Sequence, residues 1–335
     1  MAGRPTASSA TGDRQANPIW NAASLEERRS WKYSLPREVI DEFFAYIDQH
    51  PDQLSDPRPE VLDGLRMPRL IAFGRRVRGD LLRGDGVAWI KGMGSAGLSR
   101  AERRLFYLAL GASMGRVMDE YGYLYPVHDR GVDYRKQPVP VSMTREATGF
   151  HTDSSSIDAL PDIVGLLCEE PSRSGGESLV TNALNVYQHM RAADRAKLEV
   201  LSDDFIRDVV TPGRERSAAN LLRNAFPIFS PGLGRTGRTF RYMRYWIEKG
   251  HEQADKPLTP EQVGAMDLLD GFLASPENCV KLRLAEGDVL LTNNRSVAHG
   301  RESYVDTPGN TRRLQRIWIE APATAWGPRD SSPPQ

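Results

Sequence analysis

A mainly β fold with flanking helices, of the α+β class, is predicted by three observations. Apolar residues in the first third of the chain are spaced as amphipathic helices, the last third alternates apolar and polar residues with period two, and the 335 residues contain no internal repeat. Antiparallel strands with helical support close into a barrel or pack as a sandwich, either of which has a mouth and an interior. A chain of this length can bury a water-excluded pocket.

Residues 1–18 are rich in Ala, Ser, Thr, Gly and Arg without periodicity and are expected to form a disordered tail. PREVIDEFFAYIDQH, Pro36 to His50, and SRAERRLFYLALGASMGRVM, Ser99 to Met118, gather their apolar residues on one helical face, with Ser99 as N-cap of the second. Between them GVAWIKG, Gly86 to Gly92, is a short strand bounded by glycines. From Gly149 onward the pattern is that of strands: DIVGLLCEE, GESLVTNAL, NCVKLRLAEGDVLLTNN and RRLQRIWIE. In the third, Val280, Leu282 and Leu284 alternate with polar neighbours before a turn at Glu286-Gly287-Asp288. One helix interrupts the strands, signalled by an N-cap, a proline at the first helical position and a capping-box glutamine in Thr259-Pro260-Glu261-Gln262. Residues 326–335 form a second loose tail, which leaves a single domain at 19–325 with an insertion at about 205–250.

Lys plus Arg and Asp plus Glu are equal at 44 each, so no global field draws the chain to nucleic acid or to an anionic membrane. No apolar run approaches the roughly 20 residues of a membrane-spanning helix, and the first residues lack the apolar block of a signal peptide. The expectation is a cytoplasmic protein acting on a small molecule, compatible with a homo-oligomer. Cys168 and Cys279 are too few for a disulfide framework and too far apart for a zinc ribbon, and are expected to be buried small hydrophobes.

GFHTDSSS, Gly149 to Ser156, carries the chemistry. On a strand, His151 and Asp153 point to one face about 6.5 to 7 Å apart, so both side chains can bend onto one metal while Thr152 faces away. His299 in NNRSVAHGR is the candidate third ligand, whereas His50 and His189 fall in helices and His128 and His251 in loops without a carboxylate two residues on. Two histidines and one carboxylate leave three positions of an octahedron open, the facial triad of non-haem Fe(II) oxygenases. Such an enzyme without a redox cofactor draws two electrons from a co-substrate, and 2-oxoglutarate needs a cation for its far carboxylate. TRRLQRIWIE offers Arg312, Arg313 and Arg316. Alternation puts Arg312, Leu314, Arg316 and Trp318 on one face and Arg313, Gln315, Ile317 and Ile319 on the other, favouring Arg312 and Arg316 as anion anchors.

These segments resemble the taurine dioxygenase and clavaminate synthase-like family of Fe(II)/2-oxoglutarate-dependent oxygenases from about Gly149 to Pro322. FHTDSSS is similar to the family's H-T-D/E segment, SGGESLVTNALNVY (Ser174 to Tyr187) to its G-G-D/E-T/S-L segment, and TNNRSVAHGRESYVDTPGNTRRLQR to its N-x-R-x3-H-G-R ending. The resemblance implies a double-stranded β-helix of the jelly-roll type, with His151, Asp153 and His299 as ligands of Fe(II). It also implies Ser178 and Arg312 as holders of 2-oxoglutarate and Arg316 as a second polar wall, with O2 as the oxidant. Arg313 lies one residue from Arg312 in register. The presence of Asp153 favours oxygenation over halogenation, while desaturation, ring closure and stereoinversion start from the same hydrogen abstraction. Hydroxylation of an amino acid or an amino-acid-derived natural-product intermediate is the expected reaction. Sulfonate oxygenation, a non-oxygenase metal-binding cupin-like protein and a metal-dependent hydrolase or isomerase are the alternatives.

The segment from Arg207 to Arg244 holds eight arginines, no lysine and two acids, Asp208 and Glu215. It is expected to be an active-site lid in which Arg241 or Arg244 clamps a substrate carboxylate. YGYLYPVHD, Tyr121 to Asp129, is expected to form another pocket wall.

Overall fold

The computed structural model describes residues 18–55, 57–59, 67–132, 141–208, 217–233 and 237–326. Eight strands make the core: β1 (Tyr125–Val127), β2 (Thr148–His151), β3 (Ile163–Glu170), β4 (Ser178–Asn182), β5 (Cys279–Leu282), β6 (Val289–Asn293), β7 (Val297–Arg301) and β8 (Arg313–Glu320). One sheet has the order β6-β3-β8-β1 and the other β5-β4-β7-β2, with every pairing antiparallel. The chain changes sheet at each connection except β4 to β5, which makes the core a jelly roll. Val87–Lys91 against β6, Lys32–Ser34 beyond it, and Arg116–Val117 against the end of β8 widen the first sheet to seven strands.

Alternation along the strands builds three apolar layers. Between the sheets, Cys168, Leu290 and Leu314 meet Val180, Val280, Leu282 and Val297. On the outer face of the larger sheet, Leu167, Leu291, Ile317 and Ile319 pack on Phe43, Phe73, Phe106 and Leu110 from the helices Arg37–Gln49, Pro68–Arg83 and Arg100–Met114. Behind the smaller sheet, the helices Ala183–Ala193 and Pro260–Ala274 contribute Val186, Met190, Met266 and Leu269. Strand β8 therefore faces helices with Ile317 and Ile319 and the interior with Leu314, as its alternation predicts.

Ser99 caps its helix and Thr259 forms its capping box with Gln262 as expected, and Glu102 completes a second box with Ser99. Helix Arg100–Met114 stops four residues short of the predicted end because Gly115 touches the sheet, where a Cβ would sit 2.2 Å from the Glu320 carbonyl oxygen. GESLVTNAL is a strand only to Asn182, whose side chain accepts from the Leu184 and Asn185 amides and so starts a helix. Trp326, assigned to the C-terminal tail by composition, is buried, and Pro18 is tied by its carbonyl to the Asn182 side chain. The tails at 1–17 and 327–335 lie outside the described residues, as do 209–216 and 234–236 of the expected lid. The described part of that insertion is no free loop: Phe205, Phe229, Phe240 and Tyr242 join the core behind the smaller sheet. His251, read as a loop residue, sits in the helix Arg244–Gln253. Among the described residues no helix is long and apolar enough to cross a membrane.

Gly165 lies where the helix Arg100–Met114 packs tightly on the sheet: a Cβ there would meet Tyr107 Oη at 2.5 Å, Leu291 Cδ2 at 2.7 Å and Ile317 Cγ2 at 2.8 Å. Overpacking of this kind costs about 1–3 kcal/mol. Gly165→Ala is expected to lower the denaturant midpoint accordingly, with an unchanged slope, in equilibrium unfolding.

Candidate active site

Antiparallel register sets the site. His151 at the end of β2 lies opposite His299 of β7, and their ring centroids are 4.4 Å apart. Asp153 is not on the strand, contrary to the expectation that His151 and Asp153 share a strand face. The ladder ends at His151 because Thr152 turns to the segment beyond: its amide donates to the Tyr242 carbonyl at 2.7 Å, and its Oγ1 accepts from the Tyr242 amide at 2.9 Å. A turn with Ser154 in the left-handed region (φ 72°) follows. Asn294 holds that turn from the next strand connection. Its Oδ1 accepts from the Asp153 amide at 2.8 Å, and its Nδ2 donates to the carbonyls of Asp153 and Pro161, each at 3.0 Å.

The result is a compact donor set, with Asp153 Oδ1 3.6 Å from His151 Nε2 and 3.4 Å from His299 Nε2. One ligand atom from each residue lies within 4.8 Å of the others. With its proton on Nδ1, 2.9 Å from the Gly149 carbonyl oxygen, His151 directs the Nε2 lone pair at this point. Burial pushes the Asp153 carboxyl up, but the Arg316 guanidinium beside it counters burial, and the group is held well below the usual carboxylate range. Burial, then the neighbouring His151, lowers His299 and keeps it neutral, the form that ligates. A carboxylate and two neutral imidazoles suit a divalent iron with three positions left open.

The triad opens into a cavity whose wall includes Ser178, Arg301, Arg312, Leu314, Arg316 and Trp318, together with Tyr121, Ser155, Met243 and Trp246. Arg312 is 4% exposed, and its Nη1 is buried without a hydrogen-bond partner among the described residues. Arg313 stands opposite Glu170 and does not line the cavity. Arg301, to which the sequence reading gave no role, lies beside Arg312; burial and then that guanidinium push it down to about 10. Arg316 Nη1 is 3.1 Å from Asp153 Oδ2.

The expected substrate clamps are not brought to the cavity. Arg244 is neutralised by Glu248, Asp267 and Asp270 at 2.7–2.8 Å. Arg241 is buried, donating to the Ser156 carbonyl at 2.6 Å over the Phe226 ring. Their neighbours Met243 and Trp246 reach the wall instead. Asn294 and Trp318 were given no functional role by sequence; Trp318 does fall on the face predicted to carry Arg312 and Arg316.

Residues 53–318 match the family model for the taurine catabolism dioxygenase TauD, TfdA family. The chain is 24% identical over 314 residues to the FR-33289 synthase of Streptomyces rubellomurinus, covering 90% of this chain and 88% of that protein. It is 31% identical over 184 residues to a uridine-5'-phosphate dioxygenase of a Streptomyces species, covering 53% of this chain and 63% of that protein. Among solved structures, asparagine oxygenase in complex with Fe(II), 2S,3S-3-hydroxyasparagine and succinate aligns with a TM-score of 0.60 at 19% identity, covering 86% of this chain and 93% of that one. The non-haem iron oxygenase OrfP in complex with Fe, succinate and (3S)-hydroxy-L-Arg gives 0.61 at 17% identity over 86% and 94% of the two chains. Both share the fold.

Removing the Asn294 side chain strips partners from three buried backbone groups, each costing about 1–3 kcal/mol when left unpaired. Asn294→Ala is expected to lose at least ~2 kcal/mol of stability in thermal unfolding of the metal-free protein; a change within error would refute the clamp.

Proposed function

Because the chain belongs to the taurine catabolism dioxygenase TauD, TfdA family, whose members use Fe(II), 2-oxoglutarate and O2, we propose that it hydroxylates an unactivated C–H bond of an amino acid or an amino-acid-derived natural-product intermediate. The observation that carries this reading is a single cavity that joins the His151, Asp153 and His299 donor set to a buried arginine, Arg312, with a free donor. A protein that merely stored metal has no use for that buried cation, and a hydrolase or isomerase of the same fold would turn over without oxygen.

In this reading His151, Asp153 and His299 hold Fe(II), which when bound supplies the activation of O2 needed to break a C–H bond. Arg312 receives the far carboxylate of 2-oxoglutarate, and Ser178, 4% exposed on the adjoining wall, adds a hydroxyl donor. Arg316 balances the charge of Asp153 and keeps it ionised. Tyr121, Ser155, Met243 and Trp246 are left to seat the substrate, and their aromatic and thioether surfaces exclude water from the reacting carbon.

Among the described lining residues Asp153 is the sole carboxylate, against three arginines. With Arg312 taken by 2-oxoglutarate and Arg316 by Asp153, Arg301 is the cation left on the described wall, and it favours a substrate that carries an acid group. The product named in the asparagine oxygenase structure and the substrate named for the uridine-5'-phosphate dioxygenase both bear such a group.

His151→Ala or His299→Ala is expected to reduce Fe(II)-dependent succinate formation to background while circular dichroism stays that of the wild type. Retained turnover in either variant overturns the triad. Loss of a charge-assisted contact costs about 1.5 to 3 kcal/mol, roughly a 10 to 100-fold change. Arg312→Ala is therefore expected to weaken 2-oxoglutarate binding by that factor in calorimetric titration, and Arg313→Ala to leave it unchanged.

A further inference from the structure

We infer that Trp318 is a positioning residue whose indole N–H ties up one oxygen of Asp153, so that the carboxylate meets the metal through the other oxygen alone. The inference rests on the ligand assignment proposed above. The two carboxylate oxygens have different surroundings. Oδ2 accepts from Trp318 Nε1 at 2.6 Å and lies 3.1 Å from Arg316 Nη1, whereas Oδ1 faces the Nε2 atoms of both histidines at 3.4 and 3.6 Å.

The difference matters because a carboxylate can ligate with one oxygen or with both. Three protein ligand atoms leave three positions of an octahedron, two for a chelating 2-oxo acid and one for O2. A fourth, from the second oxygen of Asp153, would fill the position that O2 requires. An oxygen that already accepts a hydrogen bond and is held in an ion pair is a poorer ligand than its neighbour.

Of the two donors, the indole is the less mobile. Trp318 sits on β8 in register with Val164 of β3, packs with Met118, Ala159 and Val164, and meets Tyr121 edge to face at 5.2 Å. Arg316 is a flexible side chain whose guanidinium lies 4.9 Å from the Trp318 ring and 4.8 Å from that of Tyr125. The indole thus fixes the carboxylate directly and also braces the second donor. Trp318 lines the cavity, but this role is exerted through Asp153.

The test uses metal-free full-length protein, titrated with Co(II) by calorimetry without 2-oxoglutarate or substrate, for wild type, Trp318→Phe and His151→Ala. Loss of a residue that orients a ligand weakens metal binding by roughly 10 to 100-fold. Trp318→Phe is expected to show that loss, with X-ray absorption of the bound Co(II) changing from a one-oxygen to a two-oxygen carboxylate. Wild-type affinity with a wild-type absorption spectrum in Trp318→Phe would mean that the indole only packs, overturning the inference while leaving the triad intact. Wild-type protein binding Co(II) no better than His151→Ala would overturn the triad and this inference together. Should Trp318→Phe not fold, the wild-type spectrum decides alone: a two-oxygen carboxylate refutes the role, and a one-oxygen carboxylate supports it.

Discussion

Asp153 carries its charge in a buried place, and most of the surrounding arrangement follows from keeping it there. Burial favours the neutral acid, so the ionised form depends on the guanidinium of Arg316, while the imidazoles of His151 and His299 complete its donor set. Those groups come from three different strands, β8, β2 and β7. They converge only if the two sheets hold their register, and a slip of one residue in β7 would turn His299 to the opposite face and put Ala298 or Gly300 in its place. The carboxylate in turn cannot wander, because Asn294 grips its backbone on both sides.

Strand β8 shows how one element serves two purposes without conflict. Its outward residues Ile317 and Ile319 fasten the larger sheet to the helical layer, and its inward residues Leu314, Arg316 and Trp318, with Arg312 just ahead of the strand, line the cavity. Because β8 is paired on both sides, by β3 and by β1, its backbone is fixed and its inward side chains are presented from a rigid base. The polar end of the cavity tolerates Arg301 and Arg312 next to each other only at an electrostatic cost, which an anionic ligand would relieve.

What the sequence made legible was whatever depends on short separations along the chain. The N-cap at Ser99, the capping box at Thr259 and the alternation from Arg312 to Trp318 are local rules, and all are seen in the structure. The histidine and carboxylate pair was also legible, although it is formed by a turn and not by strand pleat, because a two-residue spacing brings the side chains together either way. Illegible were features that depend on distant partners. Arg244 reads as a free cation until helix Pro260–Ala274 supplies Asp267 and Asp270. Helix Pro68–Arg83 escaped notice because its five arginines dilute the apolar stripe of Leu70, Phe73, Val77 and Leu81, although the helical spacing was there to be read.

The one connection that does not change sheets, from β4 to β5, admits everything between Asn182 and Cys279. Neighbouring strands β4 and β5 are joined by their own ladder from Ser178 to Thr181, so their pairing makes no demand on the length or content of what lies between. That leaves the insertion freer to vary in length than the connections that must cross from one sheet to the other. It delivers Met243 and Trp246 to the cavity, and it is tied to the metal-bearing turn by the backbone of Tyr242, by Arg241 on the Ser156 carbonyl and by Asn224 on the Ser155 carbonyl. A lineage, or an engineer, that keeps these ties and the core residues behind the smaller sheet can therefore exchange the rest of the segment to reshape what the cavity admits while the iron-binding scaffold is inherited whole.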